Sequence, residues 1–362
     1  MKRLSISIIC FAFCLSVWGQ SGFRTWIPGP ADVQGRGWST GLASTYDRLP
    51  ASAESRVRKE VWNLSRHAAG LYLRFRTNAA ELLVNYTVQG PVQMPHMPAT
   101  GVSGVDLYVK QANGTWDWAA GRYRFGDTIR FSFGALGTTV EREFVLYLPL
   151  YNHVNWLEMS YPGRASFTPL PAEADKPVVV YGTSIAHGAC ASRPGLGWTN
   201  ILSRLMGMPL VNLAFSGNGR LEPEVYGYVG EIDASVFVLD CLPNMSGDAY
   251  IKEGILRRRL DSAYRYLRAK HPQTPILFTE HAGYGDEGTN AWKMKTYQAA
   301  NAVLQSFYRD LRKSGAKQIG YLSRKDIGLG IESTVDGIHP NDIGMMEYAK
   351  AYTRKLRELL RK

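Results

Sequence analysis

The chain has 362 residues, 45% of them apolar and 20% charged, with a formal net charge of +11. That length accommodates two domains, and the composition excludes a disordered or fibrous chain. The cations are scattered, and the densest run, Arg257–Arg259, falls in a helical stretch, so the charge reads as a solvated surface and not a nucleic-acid site.

The opening MKRLSISIICFAFCLSVWGQ places Lys2 and Arg3 before an apolar run to Trp18 and small Gly19. This order is that of a secretory signal peptide over residues 1–20, so a periplasmic or extracellular protein is expected. No later stretch approaches the roughly 18 uninterrupted apolar residues of a membrane span. Beyond the leader stand two cysteines, Cys190 and Cys241, which export permits to pair as a disulfide or which stay as buried thiols.

Residues 21–170 carry short alternating or β-rich runs: GLYLRFRT, ELLVNYTV, GVDLYVK, TIRFSFG and EFVLYLPLY, punctuated by Gly, Asn and Pro. Their spacing predicts an antiparallel, jelly-roll-like β-sandwich. Its tryptophans Trp62, Trp116, Trp118 and Trp156 are expected in the sandwich core, with sugar stacking as the alternative. The loop MPHMP, residues 94–98, is either a core edge or a lid that brings His96 to a site in the second domain. FTPLPAEADKP, residues 167–177, reads as a linker.

Residues 171–362 alternate strand and helix. Near-continuous apolar runs at 177–182, 209–214, 235–241, 275–280 and 318–323 predict parallel strands covered on both faces. Helical stretches at 250–269 and 291–313 lie between them, and the last helix keeps Ile343, Met346, Ala349, Tyr352, Leu356 and Leu359 at helical spacing. The pattern predicts a flavodoxin-like α/β/α sandwich whose chemistry lies at the carboxyl ends of its five strands.

Those ends carry a consistent set of residues. In DGIHPND, Asp336 sits three residues before His339, near enough to fix one imidazole tautomer and leave the other nitrogen free for a proton. The first strand runs into YGTSIAHG, which presents Ser184 where a helix begins. The second ends in NLAFSGNG with Gly217, and the third in DCLPNM with Asn244; with the Ser184 amide, both are candidate oxyanion donors. His187, Glu280, His281 and Tyr284 are further candidates for the pocket wall. No metal-ligand spacing and no nucleotide fingerprint follows any strand, so neither metal nor cofactor is expected.

This constellation resembles the SGNH (GDSL-type) hydrolases over roughly residues 175–360. Here the Ser block reads G-T-S in place of G-D-S, with Thr183 in the acidic position, and the Asn block reads LPNM; the D-x-x-H block is intact. GVDLY at 104–108 matches the motif of a subfamily with an N-terminal β-sandwich. The resemblance implies an exported serine esterase acting on short acyl, chiefly acetyl, esters of small molecules or polysaccharides. Two rivals remain at this level: an acyltransferase using the same triad, and a glycan-binding protein without catalysis. Oligomeric state is not legible.

Overall fold

The computed structural model describes residues 22–137 and 140–360; the expected signal segment lies outside them. Alternation dictates the first half. In Tyr72–Thr77 the side chains of Leu73, Phe75 and Thr77 are buried while Arg74 and Arg76 are not, and Leu82, Val84 and Tyr86 repeat the pattern in Leu82–Val88. Two antiparallel sheets result. One orders Phe23–Trp26, Val154–Pro162, Leu82–Val88, Ile129–Phe133 and Arg122–Arg124. The other orders Phe167–Pro169, Tyr72–Thr77, Arg142–Tyr147, Asp106–Lys110 and Trp116–Ala119. Phe75, Val84, Leu107, Phe144 and Leu157 fill the space between them.

Two expectations need correction here. The linker's first residues, Phe167–Pro169, form a strand paired with Phe75–Thr77. Trp118 and Trp156 lie outside the sandwich core at 50% and 38% exposure, Trp116 is half-buried against Tyr108 and Tyr147, and Trp62 is buried in the core of the second domain instead.

Ahead of the sheets' second strand, helix α1 (Lys59–Ser65) and its flanks cross to the second domain. The guanidinium of Arg48, fully buried, donates to the carbonyls of Leu64, His67, Asn212 and Ala214 at 2.6–2.9 Å. A buried cation here is tolerated because its donors are satisfied by backbone carbonyls, although burial still pushes its pKa down to about 9.

The second half is a parallel sheet of β1 (Val178–Gly182), β2 (Leu210–Ala214), β3 (Val236–Asp240), β4 (Ile276–Thr279) and β5 (Ile319–Leu322), in the order β2-β1-β3-β4-β5. All residues of β1, β2 and β3 are buried, because helices cover both faces. Val179, Tyr181, Phe237 and Leu239 face one core; Val178, Val180 and Val238 face the other. Met97, Val102, Leu150 and Tyr151 of the sandwich share that second core, so apolar packing joins the two domains.

The connecting helices include α2 (Ser184–His187), α3 (Ala291–Lys313) and α4 (Asp342–Leu360). The helix expected over 250–269 is two, Asp248–Lys252 and Ile255–Lys270, broken where Gly254 takes φ +66°. In α4 the buried face runs through Met345, Tyr348, Tyr352, Leu356 and Leu359, so Ile343, 55% exposed, falls outside it. Among the described residues no helix is long and apolar enough to cross a membrane.

Candidate active site

β1 ends at Gly182, where an added Cβ would lie 2.7 Å from that of Ala186 and force the strand off the helix that follows. Thr183 is extended, Ser184 opens the single turn of α2, and Gly188 closes it at φ +105°. From this corner Ser184 Oγ lies 2.9 Å from His339 Nε2. His339 Nδ1 lies 2.7 Å from Asp336 Oδ2. The bonding pattern assigns the Nδ1–H tautomer, with Nε2 left to accept the seryl proton.

The loop that carries this pair is braced at every turn. Asp336 Oδ1 accepts from the amides of His339 at 2.8 Å and Ile338 at 3.1 Å. Gly337 bends at φ +87°, and its carbonyl accepts from the Gly285 amide at 2.7 Å. Burial alone would push the Asp336 carboxyl up; the amide and imidazole hydrogen bonds outweigh it and hold the group below its ordinary value. It therefore stays an acceptor throughout the neutral range.

Beyond β2 the chain turns at Gly217, φ +69°, with open space where a Cβ would stand. Asn244 closes the short helix Leu242–Asn244 after β3. Its Oδ1 accepts from the Gly219 amide at 3.1 Å, which turns the NH₂ away from the backbone and leaves it for a ligand. Gly219 has no substitute: a Cβ there would lie 2.1 Å from the Gly182 carbonyl oxygen. The second glycine of SGNG is the only sequence signal of this role.

The pocket-wall candidates divide. His96 is exposed, and its ring centroid is 6.1 Å from that of His339, so the sandwich domain reaches the catalytic edge through the 94–98 loop. Met97 of the same loop is buried in the core shared by the two domains. Tyr284 is half-buried in the turn whose next amide holds Gly337. The other three are structural. His187 is wholly buried, bonds the Leu150 carbonyl at 2.9 Å and stacks on Tyr151, and burial above all drives its pKa far down. Glu280, expected at the pocket, accepts instead from Gln305, the Arg324 amide and the Tyr321 hydroxyl, beside a separate cavity. His281 is buried, pushed down to about 3 by burial and then by Arg324, with Nδ1 accepting from the Gly283 amide. The cysteines are free: Cys190 Sγ donates to the His96 carbonyl and Cys241 Sγ to that of Tyr181.

The GVDLY motif works at a distance from Ser184. Asp106 Oδ2 accepts from Arg193 Nη1 at 2.5 Å and from the Gly195 amide at 2.9 Å, while Oδ1 accepts from Trp118 Nε1 at 2.5 Å. Tyr108 Oη accepts from the same Arg193 at 2.6 Å. Gly195 is held so closely that a Cβ would fall 2.2 Å from the Tyr108 ring. The neighbouring Ser192 donates through its amide and hydroxyl to Asp342 at the start of α4, three residues past His339. The motif therefore clasps the loop that follows Ser184, and that loop holds the helix that follows His339. Among the described residues no group of acidic, His or Cys side chains has the arrangement of a metal site.

A seryl hydroxyl, a carboxylate-held imidazole and a turn at Gly217 lie together at the carboxyl edge of a 2-1-3-4-5 parallel sheet, the arrangement expected of an SGNH hydrolase. The family model for GDSL-like lipases and acylhydrolases matches residues 175–357, and that for the N-terminal domain of SGNH-hydrolase-type esterases, with its GxDLY motif, matches 26–167. The chain belongs to the GDSL-like lipase/acylhydrolase family. A solved protein from Bacteroides ovatus, described as a GDSL-like lipase, is 30% identical with TM-score 0.85, covering 94% of this chain and 98% of its own. A salicylyl-acyltransferase from a tetracycline biosynthetic pathway shares the fold at 22% identity and TM-score 0.74, over 93% and 97% of the two chains. A family two carbohydrate esterase from Cellvibrio japonicus does so at 13% and 0.57, over 94% and 98%. No curated protein matches the sequence.

Proposed function

We propose that the protein is an exported serine esterase that removes short acyl groups, chiefly acetyl, from carbohydrate. Ser184 Oγ attacks the ester carbonyl while His339 Nε2 takes its proton. The Ser184 and Gly217 amides and the Asn244 side chain hold the oxyanion. His339 then protonates the departing sugar hydroxyl, Asp336 keeps the ring oriented, and water, deprotonated by the same imidazole, frees the acyl group.

The observation that carries this reading is the continuous chain from Ser184 Oγ through His339 to Asp336, at 2.9 and 2.7 Å. A pure glycan binder has no use for it. Carbohydrate as substrate is supported by the carbohydrate esterases that share this fold and by the compact or polar segments HGACASRPG and SGDAY beyond Ser184 and Asn244, which carry no long apolar run to hold an acyl chain. Export rests on the charged and apolar order of residues 2–19.

The test is a panel of p-nitrophenyl acyl esters and acetylated polysaccharides, run with wild type and Ser184→Ala. Acetate release from the saccharides by wild type alone supports the reading; equal release by both proteins rejects it. Adding acceptor alcohols separates hydrolysis from acyl transfer, because transfer converts free acid into new ester.

A further inference from the structure

A groove of about 1030 Å³ lies between α1 and the Gln89–Gly90 and Asn152–His153 turns, away from the residues assigned to catalysis. Residues adjoining both walls reach towards Ser184 and His339. Arg58, just before α1, donates to Asn218 Oδ1 at 2.8 Å, one residue past Gly217. On the other side, the chain after Gly90 runs into the 94–98 loop, where the His96 ring lies 6.1 Å from that of His339. The floor points the same way: the His67 ring is 5.9 Å from that of Tyr151, whose hydroxyl donates to the Ser184 carbonyl at 3.3 Å. Chain neighbours of the lining thus reach the Gly217 turn, Ser184 and His339, while the groove itself runs along α1, about 10 Å at 1.5 Å per residue.

Its lining has the chemistry of a hydroxyl-binding surface. Lys59, Asn63 and Arg66 project from the α1 side and Gln89 from the opposite wall. Arg66 packs over the Trp62 ring at 5.5 Å, with Asp47 3.3 Å behind it, so the guanidinium is held in place. His153 Nδ1 engages Gln89 Oε1 at 2.8 Å, which leaves the Gln89 NH₂ free to donate. His67 Nδ1 is buried with no partner. Burial, then Arg48 and His153, push His67 down to about 3, so it offers a neutral ring nitrogen and no charge. Trp62 is itself buried under Arg66, so the groove lacks the sustained apolar lining that an acyl chain needs.

We infer that this groove is the leaving-group subsite of the esterase, taking the saccharide chain that carries the ester and holding its hydroxyls through Lys59, Asn63, Arg66 and Gln89. The inference rests on the esterase reading for its place in catalysis but not for its binding chemistry. Two arms keep the two separable. In the first, kcat/KM is measured for acetylated xylo- and cello-oligosaccharides and for ethyl acetate, with wild type and with Asn63→Trp, which fills the groove from an exposed helix position. The ratio of saccharide to ethyl acetate kcat/KM should fall at least tenfold, chiefly through KM. An unchanged ratio in a folded Asn63→Trp overturns the proposal, as does a wild type that cleaves ethyl acetate and none of the saccharides.

In the second arm, Ser184→Ala is titrated calorimetrically with unacetylated xylohexaose and cellohexaose. Binding that disappears when Asn63→Trp or Lys59→Ala is added supports the groove even if no ester is turned over. Binding of neither sugar, or binding that survives both substitutions, overturns it. Failure of every ester with intact, groove-dependent sugar binding removes the esterase reading alone.

Discussion

At the strand ends the decisive contact, Asp336 to His339, spans three residues; at the clasp below, Asp106 reaches Arg193 across 87. The first is set by one loop whose turn fixes its own side chains, so its disturbance is felt in chemistry. The second closes a long stretch of chain and joins two domains, so its formation must offset loop-closure entropy and its loss is felt in stability. Ser192 and Asp342 connect the two regions, because they tie the clasped loop to the helix that begins just after His339.

Breaking the catalytic edge gives the largest effects. Ser184→Ala and His339→Ala should each lower kcat on the order of 10⁶-fold, with the double variant no worse than either, since the two act as one unit. Steady-state rates on p-nitrophenyl acetate check this, with circular dichroism to show that folding persists. Asp336→Asn should cost about 10⁴-fold by favouring the wrong tautomer. It has a second signature. The folded carboxyl is held below its ordinary value, so the stability it supplies is complete above that value and is lost as pH falls through the lower one. Thermal melts of Asp336→Asn should accordingly show a flatter acid limb than wild type, and an identical limb would count against the assigned hydrogen bonds.

Asn244→Ala should reduce kcat by about 10²–10³-fold with a smaller change in KM, as for loss of one oxyanion donor. A change confined to KM would make Asn244 a binding residue. At the clasp the expected result has another form. Asp106→Ala leaves Arg193 and the Gly195 amide without their acceptor, and should cost about 3 kcal/mol, the lower end for breaking a buried pair, because Arg193 is partly exposed. Denaturant titration should show that loss together with a modest fall in kcat. A large fall in kcat at unchanged stability would mean that the clasp acts on chemistry and not through assembly. The smallest effect concerns acyl length: kcat/KM should decline from two- to four- to eight-carbon esters, and a rising series would contradict a polar site.

The same contrast of range explains what the sequence made legible. Asp336 and His339 are near neighbours, and Ser184, Gly217 and Asn244 each follow a near-continuous apolar run of the kind a parallel strand covered on both faces takes. Gly219 was hidden because its constraint, the Gly182 carbonyl, lies on another strand. Arg193 and Arg58 were hidden for the same reason, their acceptors being Asp106 and Glu222. His187, Glu280 and His281 carry the right chemistry but are used up by Leu150, by Tyr321 with Arg324, and by Gly283, partners that no local pattern announces. Trp116–Ala119 and Arg122–Arg124 escaped as strands because their exposed faces leave no apolar alternation to read.

The proposed mechanism makes Ser184 the nucleophile, activated by His339. Incubation with a fluorophosphonate ester, followed by peptide mass spectrometry, tests it most directly. One adduct on the peptide carrying Ser184, formed in step with loss of esterase activity and absent in His339→Ala, is the predicted result. Activity that disappears with the label on another residue, or that survives full labelling of Ser184, would contradict it.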